Sequence, residues 1–312
     1  MKDKVLFVAS NLTSLTEQIQ ISRVLSSRAV QYFLLPSQLR ISRLLEQLPT
    51  QVVLVDKDAQ PINLAITAES PADHRANFLR TGRLQVGKIF SRFVHDHAWI
   101  YAAWVWFKSI FNLNRQQKHL RLEIRRAQGA AHCLYEDLGI NVAVFAGDRS
   151  VAYNLALLKA FHEIGVRTLI PPISFVSGSE RLLASRRRDV SYHCPGHGKF
   201  RTHYPHLYHF DRFTGKRVGF YTVIETAEFT KADIHSSNPW ALGAGYIDSL
   251  LVDGKRTENQ LIQLGCHAEK IKITGHGSHD KLFETVSRKD EIRSRFIEKY
   301  DLHPDRRTLI LS

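Results

Sequence analysis

Apolar residues recur in two rhythms through the opening of the chain. Short runs such as "KVLFV", "VQYFLL" and "QVVLV" alternate with "SLTEQIQISRVLSSR" and "SQLRISRLLEQL", where apolar residues return every three or four positions. The runs predict buried strands and the longer stretches predict amphipathic helices. Ser14 and Glu17 stand at the spacing of a capping box. Strands separated by helices of this length predict βαβ units, hence an α/β fold with a parallel sheet flanked by helices. After Asp58 the rhythm stops in "AQPINLAITAESPADHR", which reads as a loop. A long, mostly helical stretch then covers about residues 75–138. "NVAVFAGD" predicts a further strand, "SVAYNLALLKAFHEIG" a helix closed by Gly165, and "VRTLIPPISF" another strand. Between Ser177 and Thr230 the periodicity is lost, and Arg, His and Gly accumulate. It returns with the strand of "YIDSLLVDG", the helix "RTENQLIQLG", the strand of "KIKITGHG" and the charged helix "RKDEIRSRFIEKY". The chain closes on "RRTLILS", which reads as an opening strand without a covering helix, so continuation beyond Ser312 is expected.

Composition narrows the class. The 312 residues suit two α/β lobes, or one lobe with large insertions. With 44% hydrophobic and 23% charged residues, a disordered chain, a collagen or a multi-span membrane protein is excluded. Lys and Arg number 43 against 30 Asp and Glu, a net +13. That excess favours an anionic partner, with a basic but uncommitted surface as the alternative. Cys133, Cys194 and Cys266 are widely spaced and odd in number, so no disulfide framework is implied and a reducing cytoplasm is expected. The N-terminal apolar run is too short for a signal peptide and lacks a cleavage pattern.

Open α/β sheets bind ligands at the carboxyl ends of their strands. The predicted strands place there Ser10-Asn11, Asp56, Gly147-Asp148-Arg149, Pro171-Pro172, Asp253-Gly254 and Gly275-His276-Gly277. Among these Gly147-Asp148-Arg149 combines a tight turn, a proton acceptor and an anion-pairing guanidinium. The alternative is that Asp148 caps the next helix and Arg149 is solvated. "SYHCPGHGKFRTHYPHLYHF" gathers His193, His197, His203, His206 and His209 around Cys194, but the spacings match no finger or zincin pattern, and no metal is expected. A basic, aromatic loop that contacts an anionic ligand or a membrane is the preferred reading, strengthened by Arg186, Arg187 and Arg188. "HAWIYAAWVWFKSIFNL" is too short and interrupted to span a bilayer. It predicts a core helix or, flanked by "RQQKHLRLEIRR", an aromatic patch in an anionic membrane interface. No Walker loop, G-x-G-x-x-G, H-E-x-x-H or G-x-S-x-G occurs. No nucleic-acid reader module is recognisable either, and no nucleic-acid partner is expected.

One longer stretch, "NPWALGAGYIDSLLVDGKRTENQLIQLGCHAEKIKITGHGSHDKL" (238–282), resembles the end of the N-terminal lobe in GT-B-fold glycosyltransferases and the related UDP-N-acetylglucosamine 2-epimerases. The features that carry the resemblance are Asp248 ahead of a strand, Leu264-Gly265 closing a helix, Thr274-Gly275 closing the next strand, and Asp280. The "NVAVFAGD" strand with its alanine- and leucine-rich helix resembles the same lobe. The "NPW" form is most similar to bacterial surface (capsule) polysaccharide glycosyltransferases. Two epimerase features are missing: "LIPPISF" stands where a His-x-Glu-Ala-Gly context belongs, and "ASNLTSL" replaces the Gly-Thr-Arg-Pro-Glu turn.

The resemblance implies a Rossmann-like, acceptor-side domain over residues 1–286, with a helical insertion at about 75–138 and a basic, His-rich insertion at about 177–230. Residues 287–312 would be a linker and the first strand of a second, nucleotide-sugar-binding lobe. It implies a cytoplasmic, membrane-associated enzyme that moves a sugar from a nucleotide sugar to a glycan or lipid-linked acceptor, without a cofactor. Asp148 is the expected base, with His193 and Glu228 as alternatives. Asn11, Gly147, Arg149, Arg186, Arg187, Arg188, Gly275 and His276 are expected to bind substrate. The rivals are an epimerase-like isomerase and a non-catalytic basic domain that binds acidic polysaccharide or nucleic acid.

Overall fold

A computed structural model describes residues 2–9, 12–34, 52–62, 98–149, 152–172, 179–187, 189–193, 198–276, 283 and 285–301. Nine strands are assigned among them. Strands β1 (Asp3–Val8), β2 (Ala29–Leu34), β3 (Val52–Val55), β4 (Val142–Phe145), β5 (Arg167–Ile170), β8 (Ser249–Val252) and β9 (Ile271–Ile273) form one parallel sheet in the order β3-β2-β1-β4-β5-β8-β9. Strands β6 (Tyr208–Asp211) and β7 (Lys216–Gly219) form a separate antiparallel hairpin. The α/β class and the parallel sheet are as the alternating pattern predicts.

Both faces of the sheet are buried, which is why its strands read as continuous apolar runs rather than alternating ones. Helix α1 (Leu12–Leu25) lays Leu15 and Ile19 against Val5, Phe7, Phe33 and Leu54 on one face. Phe7 and Phe33 stack there with centroids 4.6 Å apart. On the other face, Leu6, Val8 and Phe145 meet α2 (Ala98–Glu136) and α3 (Ala152–Ile164) through Leu134, Leu157 and Phe161. Each such side chain contributes about 1.5–3 kcal/mol by leaving water. Gly165 ends α3 with φ +81, and Val166 N–H donates to Phe161 carbonyl at 2.9 Å, as the C-terminal glycine predicts.

Two local readings change. Helix α1 starts at Leu12, so Ser14 is a buried residue of its first turn and not a cap. The segment expected to lack periodicity holds α4 (Ser179–Arg186), α5 (Gly198–His203), the hairpin and α6 (Val223–Lys231). Leu183, Leu207, Val218, Phe220 and Phe229 join the main core. Buried Asp211, Thr226 and Glu228 and exposed Phe210 and Phe213 invert the apolar pattern there, so no clean period shows. A capping box does exist at Thr222 and Glu225, where Thr222 Oγ1 accepts from Glu225 N–H and Glu225 Oε2 accepts from Thr222 N–H. Helices α7 (Lys255–Gln263) and α8 (Lys289–Tyr300) match the predicted ones. The predicted helix "SQLRISRLLEQL", the closing strand "RRTLILS", Asn11, Arg188, Cys194, His197 and the side chains of 98–112 lie outside the described residues.

Candidate functional site

The strand order reverses between β1 and β4, whose chains leave the sheet toward helices on opposite faces. Crevices at the carboxyl ends of strands open at such a switch point. Gln18, fully buried on α1, bridges it: its Nε2 donates to Val8 carbonyl at 3.1 Å and to Val144 carbonyl at 3.2 Å. Nothing in the local sequence marks Gln18 beyond a polar residue on an apolar helix face. Strand β4 then delivers Gly147, Asp148 and Arg149 to this edge.

Asp148 is 1% exposed, and its carboxylate is wrapped by a loop almost a hundred residues later in the chain. Oδ2 accepts from Gly243 N–H at 3.1 Å and from Gly245 N–H at 3.0 Å. The loop is drawn tight around it: a Cβ on Gly245 would lie 2.9 Å from Asp148 Oδ2, and Gly243 has φ +84. Asn238 Nδ2 donates to Leu264 carbonyl, Ser237 Oγ donates to Ala244 carbonyl and Lys270 Nζ donates to Gly245 carbonyl. Burial pushes the Asp148 carboxyl above its ordinary range, against the pull of the two amides and of Arg149. The two stretches that carry the family resemblance therefore meet at one carboxylate. Asp248 works in the same architectural way, accepting from Thr168 N–H at 2.7 Å and from its hydroxyl at 3.0 Å to join β8 to β5.

Arg149 is half-buried, and its Nη1 donates to Trp240 carbonyl at 3.3 Å. Burial holds its guanidinium below the ordinary range; Asp148 opposes this, and the nearby charge of Arg186 adds to it. Arg186 on α4 donates from Nε to Phe220 carbonyl at 2.8 Å and lies 4.2 Å over the Phe220 ring and 5.3 Å from that of Tyr192. Burial lowers its guanidinium as well. A guanidinium has five donors, and bonds to the described residues use one on Arg149 and two on Arg186. Arg149 holds the Trp240 carbonyl and Arg186 lies over Phe220, whose ring is 5.2 Å from that of Trp240; an anion that reached both guanidiniums would offset the cost of their burial. Glu225, whose charge reaches Arg186, also lines a recess of about 350 Å³ between α2 and the start of α6, with Arg115, Gln116, His119 and Thr222.

The remaining expected residues are dispersed. His193 is half-buried beside the hairpin, bridges Val218, and lies 2.9 Å from Arg187 carbonyl through Nε2. A carbonyl partner requires Nε2 to carry the proton, which leaves Nδ1 as the basic nitrogen. Glu228 is 3% exposed between α2 and α6, held by Arg121 at 2.7 and 2.9 Å and by Lys231 at 3.3 Å. These partners, Arg121 first, keep its carboxyl below the ordinary range. Arg187 is committed to Asp211 at 2.9 Å through two donors, whereas Arg186 lies over Phe220. Gly275 takes φ +79 at the end of β9, with His276 half-buried beside it. Among the described residues no three His, Cys, Asp or Glu side chains converge as a metal site. No described helix is long and apolar enough to cross a membrane.

No family model and no curated protein matches the chain. Among solved structures, it is similar to a UDP-glucosyltransferase from Polygonum tinctorium capable of glucosylating indoxyl, in complex with 3,4-dichloroaniline. The identity is 13% and the TM-score 0.38, over 89% of this chain and 53% of that one. The chain thus spans about half the length of that structure. A likeness this loose has no bearing on the site.

Proposed function

We propose that this chain is the acceptor-side lobe of a glycosyltransferase that moves a sugar from a nucleotide sugar to a surface-polysaccharide or lipid-linked acceptor. The observation that carries this reading is the pair of half-buried guanidiniums at adjoining aromatic residues, Arg149 at the end of β4 on the Trp240 carbonyl and Arg186 over Phe220, which among the described residues use only part of their donors. Such a pair suits a diphosphate or the carboxylate of an acidic sugar. The recess beside Glu225 offers the guanidinium, amide, hydroxyl and carboxylate groups that hydrogen-bond sugar hydroxyls. The nucleotide would be held mainly by a second lobe.

In the proposed reaction the acceptor oxygen forms a bond to the anomeric carbon as the bond to the donor's phosphate oxygen breaks. The diphosphate leaves with the electron pair, and the acceptor proton goes to a base. Asp148 is nearly excluded from solvent and faces two amides, so its proposed part is to position the Gly243–Gly245 loop. His193 is the better base, because among the described residues only its Nε2 is engaged and the adjoining Tyr192 ring lies beneath Arg186.

The test is transfer by the protein from a panel of radiolabelled nucleotide sugars to glycan and polyprenyl-diphosphate acceptors. His193→Gln is expected to lower kcat by about 10²–10⁴-fold. Arg149→Ala and Arg186→Ala should raise KM for anionic substrates and lower kcat/KM. Wild-type kcat in His193→Gln would remove it as the base. A new epimer formed without acceptor would replace transfer by isomerisation.

A further inference from the structure

The β6–β7 hairpin carries an arrangement that the proposed chemistry does not use. Its free end reads "HFDRFTGKR" (209–217), in which Phe210 is 53% and Phe213 is 79% exposed. Arg212, Lys216 and Arg217 are exposed around them. Phe210 and Arg217 are directly paired across the strands, and Asp211 and Lys216 form the last pair before the turn.

This end is held rigidly. Asp211, 1% exposed, accepts two bonds from Arg187 at 2.9 Å, one from Thr214 Oγ1 at 2.7 Å and one from Phe213 N–H at 3.3 Å. Gly215 takes φ +66 and donates from its N–H to Asp211 carbonyl at 2.9 Å, closing the turn. Arg187 lies 4.4 Å over one face of the Phe213 ring. The one acidic residue of the segment is thereby buried and neutralised, while every other charge on it is positive. The result is a preformed finger, basic and aromatic at its tip, on a chain of net charge +13.

We propose that this hairpin end inserts into the headgroup region of an anionic lipid bilayer and docks the protein there. Phenylalanine flanked by Arg and Lys fits that interface, where the rings enter the acyl boundary and the cations meet lipid phosphates. The turn geometry favours a bilayer over a single-stranded nucleic acid. Stacked bases need a run of open ring faces, and Arg187 takes one of the two faces of Phe213, whereas a bilayer receives the exposed apolar ring and the cations around it together. The consecutive Arg186 and Arg187 tie the two regions together, one lying over Phe220, which packs on Trp240 beside Arg149, and the other bracing the finger. Docking would thus bring the guanidinium pair close to headgroup phosphates. That consequence, unlike the docking itself, rests on the glycosyltransferase reading.

The test is co-sedimentation of the whole protein with phosphatidylcholine vesicles, with and without phosphatidylglycerol. Circular dichroism and melting confirm the fold of each variant. Binding is expected only with phosphatidylglycerol and should weaken with salt. Arg212→Glu/Lys216→Glu/Arg217→Glu should weaken it by roughly a hundredfold. Phe210→Ser, which leaves the Arg187 contact intact, should weaken it by about tenfold. Folded variants that bind vesicles like the wild type would overturn the proposal. So would failure of the wild type to bind, or binding of poly(U) more tightly than vesicles with the same loss in the variants. Transfer to a water-soluble acceptor, measured beside this, should be unaffected by the Phe210 and charge variants. Loss of that activity in the wild type would count against the function and not against the docking.

Discussion

At the residue scale, Asp148 and the glycines around it can be separated by substitution. Asp148→Asn keeps the shape but turns a donor toward the Gly243 or Gly245 amide, leaving a buried group unpaired. We expect a loss of about 1–3 kcal/mol in urea unfolding. Gly245→Ala places a methyl 2.9 Å from Asp148 Oδ2, inside contact distance of an atom pinned by two amides. A loss of about 1–3 kcal/mol is expected there too. Gly243→Ala should be worse, since φ +84 disfavours a side chain and Leu250 Cδ2 would lie at 2.7 Å. Gly147→Ala is the control: its methyl would meet only Leu242 Cδ1, at an ordinary 3.9 Å. It should change stability by no more than about 0.5 kcal/mol. If Gly245→Ala were as mild as Gly147→Ala, the loop would not be seated on Asp148. The glycines of "ALGAG" are spaced like any turn-rich stretch, and nothing in that spacing names the carboxylate they enclose.

At the scale of elements, charge pairs hold the shorter pieces to the sheet. The bond from Arg187, with those from Thr214 and Phe213, depresses the Asp211 carboxyl to about 2. The unfolded chain therefore binds more protons than the folded one across that interval, and stability rises with pH there. The contribution is fully present above the unfolded carboxylate range, near ~3.9, and is lost as pH falls through about 2. Glu228, lowered by Arg121 and Lys231, acts in the same direction, whereas Asp148, raised by burial, acts in the opposite one. Melting temperature should therefore fall steeply in acid for the wild type. Asp211→Asn should start lower and show a shallower acid slope; an unchanged slope would mean that the Arg187 pairing contributes nothing to acid stability. These pairings were not legible beforehand. Arg186, Arg187 and Arg188 look alike as a run, yet a helix turns successive residues by about 100°. One guanidinium therefore lies over Phe220 and the next reaches Asp211 in the hairpin.

At the scale of the whole molecule, the strand order 3-2-1-4-5-8-9 sets β1 beside β4 where the order reverses. Covering both faces of the sheet makes the strands uniformly apolar, and uniform apolar runs survive in the sequence as a readable signal. The parallel sheet, the closing role of Gly165 and the helices after Asp148 and Gly254 were accordingly plain from pattern alone. The capping box at Thr222 carries an equally local signal, T-x-x-E, and could have been read in the same way. By itself, then, the sequence determined the class of fold and the order of its strands and helices along the chain. Local periodicity reports burial, and parallel topology follows from it. Tertiary structure alone decided which side chains meet: Asp148 turned inward to two glycine amides, Arg149 set on the Trp240 carbonyl, and Asp211 buried beneath an exposed aromatic turn. Those partners lie tens of residues apart in the chain, and no short-range pattern records a contact that chain folding, rather than neighbouring residues, brings about.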